Sequence, residues 1–308
     1  MSSAPSPIFV FFGIEGGATC CHVENEKMFV GSQNGKVRVY GIESKVMEQI
    51  AYEDEEERRI QSIDFSDGHL FVHIRGYAIL QLKSPSWKVV RTFEVDHVGF
   101  CNSLVLGTRL LYASSDIQRF PTLDSTLISS ESRVESVRIK DAAADVTPMC
   151  MTLGEGEREV LVGMEDGKLA VFGTGEQDRL QCDEIINLGR EPVFCVASCS
   201  KWIAAGCARA PIYLVSRESK EKREIFYPPD SAGCSAITFS PNGKQILAGF
   251  WDGTMRVFSC LRLTVLLAIS STHTSTISSL TWRSPEDVGG EVVVATSSDT
   301  TVSMWKLR

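Results

Sequence analysis

Between Ile246 and Cys260 the chain reads ILAGFWDGTMRVFSC, two short alternating apolar runs joined by Asp-Gly. Side chains along a strand point alternately to its two faces, and Asp-Gly suits the tight turn of a hairpin, so the phrase predicts two antiparallel strands. Nearly the same phrase occurs as EVLVGMEDGKLAVFG at 159–173 and as MFVGSQNGKVRVYG at 28–41. A recurring hairpin constrains a chain more than any single motif, because each copy must bury its apolar faces against its neighbours.

The turns open at Asn34, Asp166, Asp252 and Asp299, with separations of 132, 86 and 47 residues. A unit of about 44 residues divides these into three, two and one repeats. The 308 residues therefore hold seven units, three of them with degenerate turns. The period places the missing turns near 78, 122 and 209, where HLFVHIRGYAILQL (69–82), LVLGTRLLYASSDIQRFP (104–121) and WIAAGCARAPIYLV (202–215) each read as strand, interruption, strand. Regular strand pairs at this spacing predict an all-β fold, a seven-bladed WD40 β-propeller with one four-stranded blade per repeat. It would span 1–308 as one domain, with 1–7 as a flexible N-terminal tip. The last unit stops at VSMWKLR (302–308), directly after its turn and short of an outer strand, while IFVFF (8–12) stands unassigned before the first repeat. Pairing of these two would complete the seventh blade and remove exposed edges.

The repeats resemble those of WD-repeat proteins throughout, in eroded form. Trp305 ends a unit as the family name implies, and Tyr40, Phe172 and Phe258 take that place elsewhere. His273, Asp299 and Trp305 match the family's His, turn Asp and strand Trp, a hydrogen-bonded set that ties a blade together, and the resemblance implies Thr296 as its hydroxyl member. These residues are structural in that reading. DHVGFCNSLVLG (96–107), TPMCMTL (147–153), EPVFCV (191–196) and GFWDGTMRVF (249–258) are similar in order and spacing to segments of the G-protein β-subunit-like protein 1 family, whose fungal relatives are called ASTRA-associated protein 1. The chain departs from that pattern in its second and third units, where EDEEERR stands before the second blade and the turns are poor. The resemblance implies a non-enzymatic scaffold for protein partners, acting with the Tel-Tti co-chaperone and the ASTRA machinery in maturation and stability of phosphatidylinositol-3-kinase-related kinases. The implied partners are Tel-Tti subunits and those kinases, with the chain a monomer on its own.

Other classes fit less well. A G-protein β subunit would carry an N-terminal helix for a γ partner, and about seven residues precede the first expected strand. A phosphoinositide-binding propeller would carry a Phe-Arg-Arg-Gly motif, which this sequence lacks. A substrate receptor of a ubiquitin ligase remains the alternative, since a propeller rim serves either use. Enzyme signatures are absent: there is no Gly-x-Ser-x-Gly, no Gly-x4-Gly-Lys-Ser/Thr and no Gly-x-Gly-x2-Gly. Composition narrows the partners further. A net charge of −8 repels a phosphate backbone, so direct nucleic-acid binding is not expected. The longest apolar run, LTVLLAIS at 263–270, is far short of the roughly 20 residues of a membrane-spanning helix, and IFVFFGI (8–14) lacks the preceding basic residue of a signal peptide. Ten cysteines with no Cys-x2-Cys, most of them in apolar runs, predict buried free thiols in a reducing compartment, cytoplasmic or nuclear. His69 and His73 fall on one face of one strand, but without further ligands at zinc spacing no metal or other cofactor is expected.

The candidate partner-binding residues precede the turn Asp or Asn of each clear repeat: Gln33, Glu165, Trp251 and Ser298. Trp251 leads, because exposed Trp is enriched among binding hot spots. The acidic run 53–57 offers a dock for a basic segment of a partner but reads first as a solvated loop, the Ser- and Glu-rich stretch 124–140 as a polar loop between blades open to phosphorylation, and 217–224 as an exposed outer hairpin.

Overall fold

The structure is a computed structural model that describes residues 5–95, 97–129, 134–154, 156, 158–175, 179–228, 230–284 and 291–307. The alternating runs form hairpins as the sequence predicts. Gly35, Gly167 and Gly253 take the positive φ that the turns of three clear repeats require, at +77°, +81° and +83°, while Thr300 takes the same kind of conformation at +71° in the last.

Strand β1 (Phe9–Phe11) comes first and stands apart from its sequence neighbours. Blade 1 then holds β2 (Ala18–Glu24), β3 (Lys27–Ser32), β4 (Lys36–Gly41) and β5 (Met47–Glu53), and blade 2 holds β6 (Ile60–Ser66), β7 (His69–Ile74), β8 (Ala78–Lys83) and β9 (Lys88–Glu94). Blade 3 is β10 (Leu104–Leu106), β11 (Arg109–Ser115), β12 (Pro121–Leu127) and β13 (Glu135–Arg138), followed in blade 4 by β14 (Pro148–Leu153), β15 (Glu159–Met164), β16 (Lys168–Thr174) and β17 (Leu180–Asn187). Blade 5 is β18 (Val193–Ser198), β19 (Trp202–Cys207), β20 (Ile212–Ser216) and β21 (Lys222–Ile225), and blade 6 is β22 (Cys234–Phe239), β23 (Gln245–Phe250), β24 (Met255–Ser259) and β25 (Val265–Ile269). Blade 7 is closed by the chain's own start: β26 (Ile277–Arg283), β27 (Val292–Ser297) and β28 (Val302–Trp305) are joined by β1 as the outer strand, antiparallel to β28. The fold is a seven-bladed β-propeller, with no α-helix among the described residues.

The blades are fastened by two repeated devices that the turn pattern did not reveal. The first is a small residue near the end of the second strand. Gly31, Gly163, Gly206 and Gly249 occupy one equivalent position, and a Cβ there would come within 2.7 Å of the first residue of the next blade's inner strand: Ile60, Val193, Cys234 and Ile277. The glycines let the blades approach closely. The second device is a side-chain donor on or beside each inner strand, bonded to a backbone carbonyl of the next blade. Thr19 bonds Ile60 at 2.7 Å, Ser62 bonds Ser103 at 3.4 Å, Asn102 bonds Met151 at 2.9 Å, Ser235 bonds Ile277 at 2.7 Å and Ser278 bonds Ala18 at 2.6 Å. Thiols of Cys150 and Cys195 serve the two remaining seams, toward Val193 and Cys234. All seven seams, including the one that closes the ring, carry such a bond.

Blade 2 departs at the first device. His73 takes the position that Gly31 takes in blade 1, pairing with Ser62 as Gly31 pairs with Cys20. It is buried, and neither ring nitrogen has a hydrogen-bond partner. The next inner strand, β10, is only three residues long, and segment 97–103 runs ahead of it.

Two expectations are corrected. The stretch 124–140 is no loop between blades: Asp124–Leu127 lie in β12 and Glu135–Arg138 form β13, with Asp124, Ser125 and Thr126 buried, because this segment is the outer hairpin of blade 3. Residues 130–133 of that stretch, like residues 1–4 of the expected flexible tip, lie outside the described residues. The acidic run is not wholly solvated either. Asp54 is buried and accepts a fork of bonds from Arg58, at 3.0 Å from Nε and 2.8 Å from Nη2, with a third from the Arg58 amide at 2.8 Å. Burial raises the pKa of Asp54, but these donors and the Arg58 charge outweigh it and hold the carboxyl below its usual range.

Candidate partner-binding rim

The four rim residues are structurally equivalent. Each directly follows the second strand of its blade, and its amide donates to the residue just before the first strand: Gln33 to Gly17, Glu165 to Thr147, Trp251 to Gly233 and Ser298 to Thr276, all at 3.0 Å. The bond fixes the backbone, so these side chains stand on one face of the ring. All four are exposed. Gln33 accepts from Arg59 Nη1 at 3.1 Å, and Glu165 Oε2 accepts from the Thr147 hydroxyl at 2.7 Å.

Trp251 is both packed and open. One side meets Phe194 edge-on at 5.3 Å between centroids and lies over Gly233, where a Cβ would come within 2.7 Å of the indole. It remains 38% exposed. A rigid aromatic with one side fixed is the kind of anchor that binds without a large ordering cost.

Arg75 is the blade 2 member of the same position, its amide donating to Arg59 at 3.0 Å. Sequence reasoning passed over it because the turn Arg75–Tyr77 carries no Asp-Gly or Asn-Gly mark. Around it stand other exposed residues that were also missed: Tyr77, Val98 and Phe100. Phe100 lies in the VGFC segment quoted for the family resemblance, but nothing in the repeat period relates segment 97–103 to the turn it covers.

The blade-tying set lies beneath the rim. His273 Nδ1 is 3.0 Å from Asp299 Oδ2, and Nε2 is 2.7 Å from Ser303 Oγ, which also accepts from Trp305 Nε1 at 2.7 Å. The hydroxyl that links His273 to Trp305 is Ser303, not Thr296, and the Thr301 hydroxyl joins the set beside Asp299. Ser303 stands two residues before Trp305 on β28, hence on the same face. Thr296 sits instead at the small-residue position of the seam and bonds the Ser278 hydroxyl at 2.9 Å. Burial holds His273 below its usual pKa despite Asp299, consistent with a neutral imidazole donating from Nδ1 and accepting at Nε2. Asp299 is raised by burial but held low overall by the Thr301 hydroxyl, the Thr274 amide and His273.

The two histidines of β7 differ in burial. His69 is partly exposed, while burial pushes the buried His73 down to about 4. Among the described residues, no group of three or more His, Cys, Asp or Glu is arranged to hold a metal. The ten cysteines are free, and burial pushes the thiols of Cys20 and Cys150 up to about 11 and about 12, so they stay protonated.

The family model described as "WD domain, G-beta repeat" matches residues 222–259 and 264–306. The chain is a seven-bladed WD40 β-propeller. Each matched WD40 stretch begins at or just before an outer strand and ends in or beside the third strand of the following blade, so the repeat frame is offset by one strand from the blade. The WD40 chain is also 34% identical over 83 residues to ASTRA-associated protein 1 of Schizosaccharomyces pombe, a match covering 27% of this chain and 21% of the relative's length. WD40 propellers are generally non-enzymatic surfaces for protein interaction, and the exposed rim is in keeping with that.

Proposed function

We propose that this propeller is a non-enzymatic scaffold that works with the Tel-Tti co-chaperone and the ASTRA machinery in maturation and stability of phosphatidylinositol-3-kinase-related kinases, in the cytoplasm or nucleus. The observation that carries the scaffold reading is the rim: four equivalent, exposed positions on one face, with Trp251 fixed on one side and open on the other. The likeness to ASTRA-associated protein 1 supports the choice of partner. Fold alone does not select a partner, so the reading rests on these two together.

Affinity purification of the tagged protein, with bound chains identified by mass spectrometry, tests it. Recovery of Tel-Tti subunits or a kinase of that class is the expected result. Recovery of a ubiquitin-ligase adaptor would replace this reading with that of a substrate receptor, and recovery of no partner would overturn it.

A further inference from the structure

The side of the rim where the repeats are most eroded carries a second, differently built surface. Segment 97–103 folds over the turn of blade 2: Arg75 Nε donates to the Val98 carbonyl at 3.1 Å, the Gln61 amide donates to the Phe100 carbonyl, and a Cβ on Gly76 would lie 2.8 Å from Val98. Two guanidinium groups lie over aromatic rings here, Arg75 at 4.4 Å from the Phe100 centroid and Arg58 at 3.6 Å from that of Tyr77. Such stacking holds each side chain in place before any partner arrives. Tyr77, Val98 and Phe100 are nevertheless 45%, 67% and 52% exposed.

The charges of this patch are unbalanced. Arg58 is engaged by Asp54 and Glu56. Arg59 and Arg75 are not: among the described residues neither has a carboxylate within ion-pair distance, Arg59 reaches only the neutral Gln33, and its buried Nε has no acceptor at all. Burial holds the Arg59 guanidinium below its usual pKa, and Arg75 pushes in the same direction. A buried donor without an acceptor and a like charge beside it are both costs that an arriving anion removes. In a chain of net charge −8, two adjacent guanidinium groups without a carboxylate partner among the described residues stand out as places for an acid to dock.

We propose that this surface binds an acidic segment of a protein partner, with its carboxylates held by Arg59 and Arg75 and a neighbouring apolar side chain seated on Phe100 and Val98. The proposal rests on the reading of the chain as a protein-binding scaffold and names the chemistry that one side of its rim selects. Carboxylates fit the forked guanidinium groups, and the apolar contact fits the exposed aromatic on which Arg75 is stacked.

The test is fluorescence anisotropy with a fluorescein-labelled peptide, Glu-Asp-Leu-Glu-Asp-Phe-Asp-Glu, titrated with the full chain. The wild type is expected to bind, more weakly as salt rises. An Arg59→Gln/Arg75→Gln variant of unchanged melting temperature is expected to bind at least tenfold more weakly, Arg75→Lys to lose less than that, and Lys201→Gln, on the opposite face, to bind as wild type. Equal binding by the double variant, no binding by the wild type up to about 1 mM, or binding only when serine phosphates replace the carboxylates would each overturn the proposal. The co-chaperone reading is judged separately: a double variant that loses the peptide yet still purifies with Tel-Tti subunits leaves that reading intact.

Discussion

Phe11 and Val302 are registered partners across the closing seam, joining the first strand of the chain to its last. The contact extends on both sides, with the Ile8 amide bonded to Met304 at 2.8 Å and the Ile14 amide to Thr300 at 3.1 Å, and Phe11 packs on Tyr40 of blade 1 at 4.9 Å between ring centroids. Deleting residues 1–13 strips the outer strand from blade 7 and leaves β28 an open edge. The melting temperature followed by circular dichroism is expected to fall by roughly 10 °C or more. An unchanged melt would mean that three strands suffice there.

Gly249→Ala tests the close approach of the blades. The added methyl would lie 2.4 Å from Ile277 Cγ2 and 2.6 Å from its Cβ, so an inner strand must move. Overpacking of this kind costs about 1–3 kcal/mol, read as a lower urea midpoint. A midpoint within error of wild type would show that the seam between blades 6 and 7 is loose.

Ser303→Ala and Thr296→Val separate the two hydroxyls. Loss of Ser303 leaves the buried Trp305 Nε1 without its acceptor and His273 without its partner at Nε2, a cost on the order of 2–3 kcal/mol. Thr296→Val keeps the side-chain shape, and Ser278 keeps its bond to Ala18, so the loss should be about 1 kcal/mol. Urea denaturation of both variants ranks them, and the reverse order would return Thr296 to the blade-tying set.

His73 makes stability depend on pH. In the unfolded chain its imidazole takes a proton near 6.5, and in the folded protein only near 4, because burial and then His97 disfavour the charge. At pH 7.5 it is neutral in both states and changes nothing. Between 6.5 and 4 the unfolded chain alone is charged, so stability falls as pH falls, by on the order of 3 kcal/mol across the window. His73→Leu removes two unpartnered nitrogens, should leave stability at pH 7.5 unchanged or higher, and should flatten the decline; His22, also pushed to about 4 by burial and Arg283, retains its share. Urea midpoints at pH 7.5 and 5 decide it, and parallel declines in variant and wild type would refute the assignment.

Trp251→Ala should shift the melting temperature by only a few degrees, since the indole is packed on one side alone. Its effect should appear in co-purification, as loss of the partner. Retention of every partner by a normally folded variant would remove Trp251 from the binding surface.

The fold was legible wherever the backbone left a chemical mark. Turns that need positive φ at a fixed place retain Gly35, Gly167 and Gly253, and counting between them yields seven repeats. In blade 3 the mark vanishes because a side chain does the work: Asp116 accepts from the amides of Gln118 at 2.9 Å and Phe120 at 3.0 Å and from Arg138, so that loop needs no Asp-Gly. Choosing Ser303 over Thr296 requires knowing which strand face turns toward His273, and two adjacent strands offer a hydroxyl each. The rim positions followed from the turns, but the surface around Arg75 and Phe100 arises from two loops that meet only in space, one of them outside any repeat.

The offset between repeat and blade has a consequence for synthesis. Each run of four consecutive strands gives its first to the blade behind and three to the blade ahead, so β1 leaves the ribosome long before its sheet exists. Only when β28 follows does it gain a partner. Completion of the ring therefore waits for the last strand of blade 7, and until then the nascent chain displays the unpaired edge of β1, the condition under which a β protein depends on chaperones itself.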